Sequence, residues 1–236
     1  MQFNDELISG VLVKRYKRFL ADVTLADRAR VTAHCPNTGS MLGCCDPDSP
    51  VWLSRSANAA RKYPLTWEIV QVPGDTLVGI NTGVTSRLVH EAIDQGVIGE
   101  LQGYDDIRRE VRFGHQGSRV DLLLSGGDGT RCYVEIKNVT AAVEGETAVF
   151  PDAVSARGTK HLQELMAMVA EGHRAVLCFC VQRDDVQRVQ PADSIDPVYG
   201  RTLRQAIDAG VEAIAYRARV SPRSIELYRP IPVVCP

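Results

Sequence analysis

Across the first 80 residues, apolar positions fall in short runs broken by turn residues, with no convincing helical period. The runs 7–20, 22–32, 51–55, 65–72 and 76–80 predict strands, separated by turn signals such as Pro36-Asn37-Thr38-Gly39 and Asp46-Pro47-Asp48-Ser49-Pro50. Five strands of this length suit a small barrel of the OB type, although another small barrel would satisfy the same pattern. Near residue 82 the organisation changes. Leu88, Val89, Ala92 and Ile93 group on one side of a helix expected over 86–95, and Gly96 ends it. Strands are expected at 108–113, 119–124, 131–139 and near Val149. The clearest helix spans 155–172, with Leu162, Leu165, Met166 and Val169 on its apolar face. A buried-type strand at 175–181, a helix at 197–209 and strands at 212–218 and 224–227 complete the chain. Alternating helices and strands of this kind predict an α/β domain with a mixed sheet over residues 82–236, preceded by the barrel over residues 1–81.

Chemistry concentrates in one expected hairpin. Successive strand residues point to opposite faces, so Glu135 and Lys137 share a face, while Leu122 and Leu124 lie opposite Asp121. The segment Ser125-Gly126-Gly127-Asp128-Gly129-Thr130 is a concentrated turn signal. If Gly127-Asp128-Gly129 forms the loop, Asp121 falls directly opposite Glu135 and the carboxylates converge; a slip of one residue separates them. Paired carboxylates need a compensating cation, and oxygen ligands suit a hard ion such as Mg²⁺ or Mn²⁺. Such an ion would polarise a phosphoryl oxygen and activate water, with Lys137 orienting the attacking water or neutralising developing charge. The competing view of Glu135 and Lys137 is a solvated ion pair.

Composition narrows the class without naming the activity. A hydrophobic content of 44% with 24% charged residues supports a globular core, and a net charge of −2 argues against a nucleic-acid-coating protein while allowing a local basic groove. The N-terminus lacks the regions of a signal peptide, and the longest apolar run, 175–181, is too short for a bilayer. The seven cysteines, without a Cys-x-x-Cys pair, point to reduced thiols and a cytoplasmic location. His34, Cys35, Cys44 and Cys45 have the wrong spacing for common zinc sites, and adjacent His34 and Cys35 would face opposite ways on a strand. Cys178 and Cys180 read as core residues.

Basic residues suggest where a nucleic acid would lie. Lys14, Arg15, Tyr16, Lys17, Arg18 and Phe19 interleave cations with aromatics on an expected barrel strand, although alternation splits them between two faces; a charged edge strand is the plain alternative. Arg157, Lys160 and His161 open the long helix, where amides and cations could hold a phosphate. Lys160 and Glu164 are equally spaced for a helical ion pair, and a lone exposed His161 would be structural or solvated.

The C-terminal pattern resembles the PD-(D/E)xK nuclease superfamily: Asp121 matches its aspartate and Glu135-Ile136-Lys137 its (D/E)xK element, with Val120 in place of the proline. This resemblance implies metal ligation by Asp121 and Glu135 with the Ile136 carbonyl, and an additional glutamate at Glu91. Four ordered segments are similar to the sugar fermentation stimulation protein A family: 34–41, 118–121, 134–140 and 150–162. That resemblance implies an OB-like domain, a nuclease-like domain, association with DNA and a regulatory link to sugar metabolism. The sequence supports a DNA-binding protein with a metal-dependent phosphodiesterase site. Its rivals are a non-catalytic DNA-binding regulator and a module for a smaller phosphate ligand.

Overall fold

The computed structural model describes residues 1–58, 60–115, 117–143 and 146–236. Six strands build the N-terminal part: β1 (Ile8–Tyr16), β2 (Leu20–Leu25), β3 (Arg30–His34), β4 (Pro50–Arg55), β5 (Leu65–Val72) and β6 (Thr76–Gly79). The order β3-β2-β1-β4-β5-β6, together with a parallel pairing of β3 with β5, closes an OB-type barrel. Alternating apolar positions fill it: Leu12, Val23, Val51, Leu53, Trp67 and Val70 are all removed from water. Cys35 and Cys44 belong to this core rather than to a zinc site, and burial pushes the Cys44 thiol up to about 12.

The runs expected at 7–20 and 22–32 are three strands, not two. Lys17 and Arg18 take left-handed φ values of 50° and 63° in the turn joining β1 to β2. Arg28 does the same at φ 67° in the next turn, where the Asp27 carboxylate accepts from Ala29 N at 2.9 Å. Neither turn contains the glycine that normally marks left-handed backbone, which hides both from a reading of residue types. Lys17 and Arg18 therefore sit at an exposed hairpin tip and do not alternate along a strand.

The C-terminal part is a six-stranded mixed sheet with α1 (Thr85–Asp94) on one face. Its strands are β7 (Asp106–Phe113), β8 (Ser118–Ser125), β9 (Arg131–Val139), β12 (Arg174–Val181), β14 (Glu212–Val220) and β15 (Ile225–Ile231), in the order β15-β14-β12-β9-β8-β7. A smaller sheet contains β10 (Ala142–Val143), β11 (Thr147–Phe150) and β13 (Arg188–Pro191). Helices α2 (Ala156–Ala170) and α3 (Pro197–Asp208) cover the second face of the large sheet. The central strands β9, β12 and β14 run parallel, and β12 is apolar almost throughout because helices cover both of its sides. Cys178 and Cys180 are fully buried there. Together these layers form a mixed-sheet α/β domain that follows the OB-type barrel.

Hydrogen bonds lock the barrel onto the sheet. Gly79 N donates to Gln182 O at 2.9 Å, Thr82 Oγ1 to Pro36 O at 2.8 Å, and Met41 N to the Asp152 carboxylate at 2.8 Å. Arg15 fixes the segment that carries Pro36 to Met41. Its guanidinium donates to the carbonyls of Arg18 and Asn37 at 2.9 Å, Gly39 at 2.8 Å and Ser40 at 3.3 Å. With its guanidinium engaged on four carbonyls, Arg15 clamps the fold, whereas its neighbours Lys14, Lys17 and Arg18 are exposed.

Arg15→Ala is expected to lower stability by about 1–3 kcal/mol in urea unfolding, since charged hydrogen bonds are lost and carbonyls are left without a donor. Hydrogen exchange at Gly39 and Met41 should quicken at the same time. Arg15→Lys should recover little of either, because an ammonium lacks the planar fork that reaches several carbonyls together.

Candidate functional site

The hairpin turn determines the site. Strands β8 and β9 pair from Ser125 with Arg131 to Leu122 with Val134, and Gly126 N donates to Thr130 O at 3.0 Å. The loop is therefore Gly127-Asp128-Gly129, with Gly129 at φ 87°. Continuing that register by one step sets Asp121 opposite Glu135. Asp121 Oδ2 then accepts from Ile136 N at 2.7 Å, where the described pairing of the two strands ends.

Glu135 is buried, with 3% of its surface exposed. Its Oε1 receives Lys137 Nζ at 2.6 Å and also meets His161 Nδ1. Arg157 Nε donates to His161 Nε2 at 3.4 Å, which leaves the ring proton on Nδ1 for Glu135. Burial pushes the Glu135 carboxyl up, but the His161 and Lys137 contacts outweigh it and hold the group below the ordinary carboxylate range. Glu135 Oε2 is buried without a hydrogen-bond partner. Asp121 behaves in the opposite way: burial, and then the charge of Glu135, raise it to about 6.

Asp121, Glu135, Ile136, Lys137 and Arg157 line one recess of about 470 Å³ between the starts of α1 and α2. His161 is 5% exposed, not a solvated helix residue, and acts through Glu135 from behind this recess. Lys160 is half-buried on α2 and is not among the lining residues. Glu91 is elsewhere: Met1 N and Arg87 Nε both contact its carboxylate at 2.7 Å, so it does not supply the additional acidic group. Glu110 of β7 lines the recess instead and adds to the negative field on Asp121. It is a non-glycine residue at φ 52°, a conformation that persists only where surrounding structure enforces it. Nothing local in the sequence marks Glu110; its relevance comes from the pairing of β7 with β8. The i,i+4 spacing of Arg157 and His161 was a visible helical signal, whereas the contact with Glu135 needed the tertiary fold.

The donor set fits a hard divalent cation. Among the described residues, no three His, Cys, Asp or Glu side chains gather into a complete metal cage. A small hard ion needs no such cage, since it retains several waters and takes one or two carboxylates. The unpartnered Glu135 Oε2 and the penalised charge of Asp121 are the features a cation there would relieve.

On the barrel, Lys14, Lys17, Arg18 and Phe19 are exposed around the β1–β2 turn. Lys14 Nζ lies 5.4 Å from the centre of the Tyr16 ring, and Tyr16 OH donates to Asp22 at 3.1 Å. Among the described residues, no helix is long and apolar enough to cross a membrane.

Two family models cover most of the chain: the SfsA N-terminal OB domain over residues 13–80 and the sugar fermentation stimulation protein RE domain over residues 83–224. The sugar fermentation stimulation protein homolog of Thioalkalivibrio sulfidiphilus is 60% identical over 233 residues, covering 99% of this chain and 98% of the relative. That of Pelobacter propionicus is 62% identical over 228 residues, or 97% of each chain. The solved structure of Pyrococcus furiosus SfsA in complex with Ca²⁺ is 27% identical, with a TM-score of 0.87 over 99% of this chain and 98% of that one.

The raised pKa of Asp121 gives a pH signature. Stability gained from the protonated form is fully present below about pH 3.8, its ordinary value, and is lost as pH rises through about 6. Asp121→Asn keeps an acceptor for Ile136 N but cannot ionise. In EDTA, its unfolding free energy relative to wild type should rise by up to about 3 kcal/mol between about pH 4 and 8. Urea titrations at each pH measure this difference, and a divalent cation should stabilise the wild type but not the variant.

Proposed function

The chain belongs to the sugar fermentation stimulation protein family, and we propose that it binds DNA and cleaves phosphodiester bonds with a divalent metal, Mg²⁺ or Mn²⁺. The observation that carries this reading is the half-buried Asp121 beside the buried Glu135, with one Glu135 oxygen unpartnered near the Lys137 ammonium. Asp121 and Glu135 are the proposed metal ligands, with the Ile136 carbonyl as a further oxygen donor. The Ca²⁺ complex of the Pyrococcus furiosus relative supports a divalent ion in this family, and the choice of Mg²⁺ or Mn²⁺ follows from the small oxygen donor set.

When bound, such an ion polarises a phosphoryl oxygen and makes a nearby water more acidic. Lys137 lies where its charge offsets that developing on the phosphoryl group. Arg157 lines the recess at the start of α2, where its guanidinium and the helix amides favour a phosphate. His161 holds Glu135 Oε1, directing the second oxygen away from itself. Lys14, Lys17 and Arg18 form the second contact surface, on the barrel tip, for sequence-independent attraction to the DNA backbone. The domains assigned to these roles are residues 1–81 and 82–236, and a cytoplasmic location accompanies them.

A DNA-binding regulator without turnover is the second reading. It is favoured by the Lys137 ion pair and the His161 contact that Glu135 already has, which lessen the need for metal. A link to sugar metabolism, suggested by the names of the relatives, accommodates either reading.

Incubation with labelled single- and double-stranded DNA in Mg²⁺, Mn²⁺ or EDTA separates them. The enzyme reading expects metal-dependent cleavage that falls by about 100-fold or more in Asp121→Ala and Lys137→Ala, the scale of a lost electrostatic contact in catalysis. Intact DNA with salt-sensitive binding would instead favour the regulator. In either case, alanine at Lys14, Lys17 and Arg18 should weaken binding and flatten its log-log salt dependence by about 3 if each contacts a phosphate.

A further inference from the structure

A second recess, of about 240 Å³, opens beside the carboxylate site and shares Thr82, Ile136, Lys137 and Asn138 with it. Its other wall is the barrel segment Asn37-Thr38-Gly39. The two recesses differ in chemistry. The first carries Asp121, Glu135, Glu110 and Arg157, groups suited to a metal and a phosphate. The second is lined by the neutral polar residues Asn37, Thr38, Asn138 and Thr140 and by the apolar Val149 and Phe150; the amide oxygens of Asn37 and Asn138 already accept from Gly39 N and from Thr85 and Gln182, so the polar edge left to a ligand is chiefly Thr38 and the asparagine NH₂ groups. Its charged groups are Lys137, at the shared end, and Asp152, whose carboxylate would repel a phosphate.

An apolar floor edged by neutral donors and acceptors matches a nucleobase, which has flat apolar faces and an amide-like rim. The volume is below the range usual for drug-sized ligands and suits one ring system. We propose that this recess receives one unpaired nucleobase of the strand whose phosphate lies at Lys137, so that the protein acts on single-stranded or locally unpaired DNA. A base inside a duplex has its hydrogen-bonding edge occupied and its faces stacked, and would have to leave the helix to enter.

The wall facing the base is built in advance. Arg15 holds the carbonyls of Asn37 and Gly39, Asn37 Oδ1 accepts from Gly39 N at 2.9 Å, and Thr82 secures Pro36. A Cβ at Gly39 would approach the Asp152 carboxylate to 2.7 Å, so glycine permits the close approach of barrel and sheet that shapes the recess. Phe150 is fixed from below by edge contact with Tyr199, at 5.3 Å between ring centres. A preformed wall spares the ordering cost that a mobile loop would impose on binding.

This inference rests on the proposed DNA reading, and its test separates the two. Equilibrium binding of the full chain is measured in EDTA, which prevents metal-dependent cleavage, against a paired duplex, the same duplex with one bulged nucleotide, and the same bulge made abasic. The base-bearing bulge should bind about tenfold or more tightly than its abasic counterpart, the scale of one held base. Thr38→Leu, which adds bulk and removes a hydroxyl at an exposed position, should abolish that preference and leave duplex affinity unchanged; Thr38→Ser should retain it. Equal affinity for the two bulges in the wild-type protein, with DNA still bound, overturns the recess assignment alone. Absence of binding to every DNA overturns the underlying reading as well.

Discussion

A carboxylate withdrawn from water has to be matched by cations or donors close at hand, and Glu135 imposes that requirement on the elements around it. Its partners come from different parts of the chain. Lys137 follows two residues later on the same strand, whereas His161 arrives from the first turns of α2 and is itself met by Arg157. The helix consequently has its charged first turns at the site and its apolar residues Leu162, Leu165 and Met168 in the core below. One oxygen of Glu135 is saturated by this arrangement and the other is not. The unpartnered oxygen is the one the proposed metal ion would engage.

Asp121 shows the other side of the same constraint. It receives one backbone hydrogen bond, from Ile136, and lies in the field of Glu135 and Glu110, so its charged form is disfavoured. Lys137, whose charge offsets this only in part, donates to Glu135. A divalent ion between the carboxylates would meet the unpartnered oxygen and favour the disfavoured Asp121 charge together, which is why the two observations support the same chemistry.

The barrel contributes by where it is docked. Its 36–41 segment is held by Arg15 on one side and by Thr82 and Asp152 on the other, and so becomes a wall of the groove beside Lys137. The exposed cations at the β1–β2 tip belong to the same hairpin as Arg15. Arg15 clamps the 36–41 segment while its neighbours Lys17 and Arg18 stay exposed, a division that composition cannot express because lysine and arginine serve either role.

Local physics wrote much of this into the sequence. Period-two alternation and glycine-rich turn chemistry determined the β8–β9 hairpin, including the register that opposes Asp121 and Glu135; a one-residue slip would have exposed a face that is apolar. The apolar stripes of α1 and α2, and the uniformly apolar β12, likewise identified the layers. Only the tertiary structure decided which charges meet. Glu91 was drawn to Met1 and Arg87, Glu110 was brought to the site by its pairing strand, and His161 was buried against Glu135. Alternation and helical period act over a few residues and fix which face a side chain occupies, but the burial and opposing charges that govern an ionisable group come from distant segments packed around it.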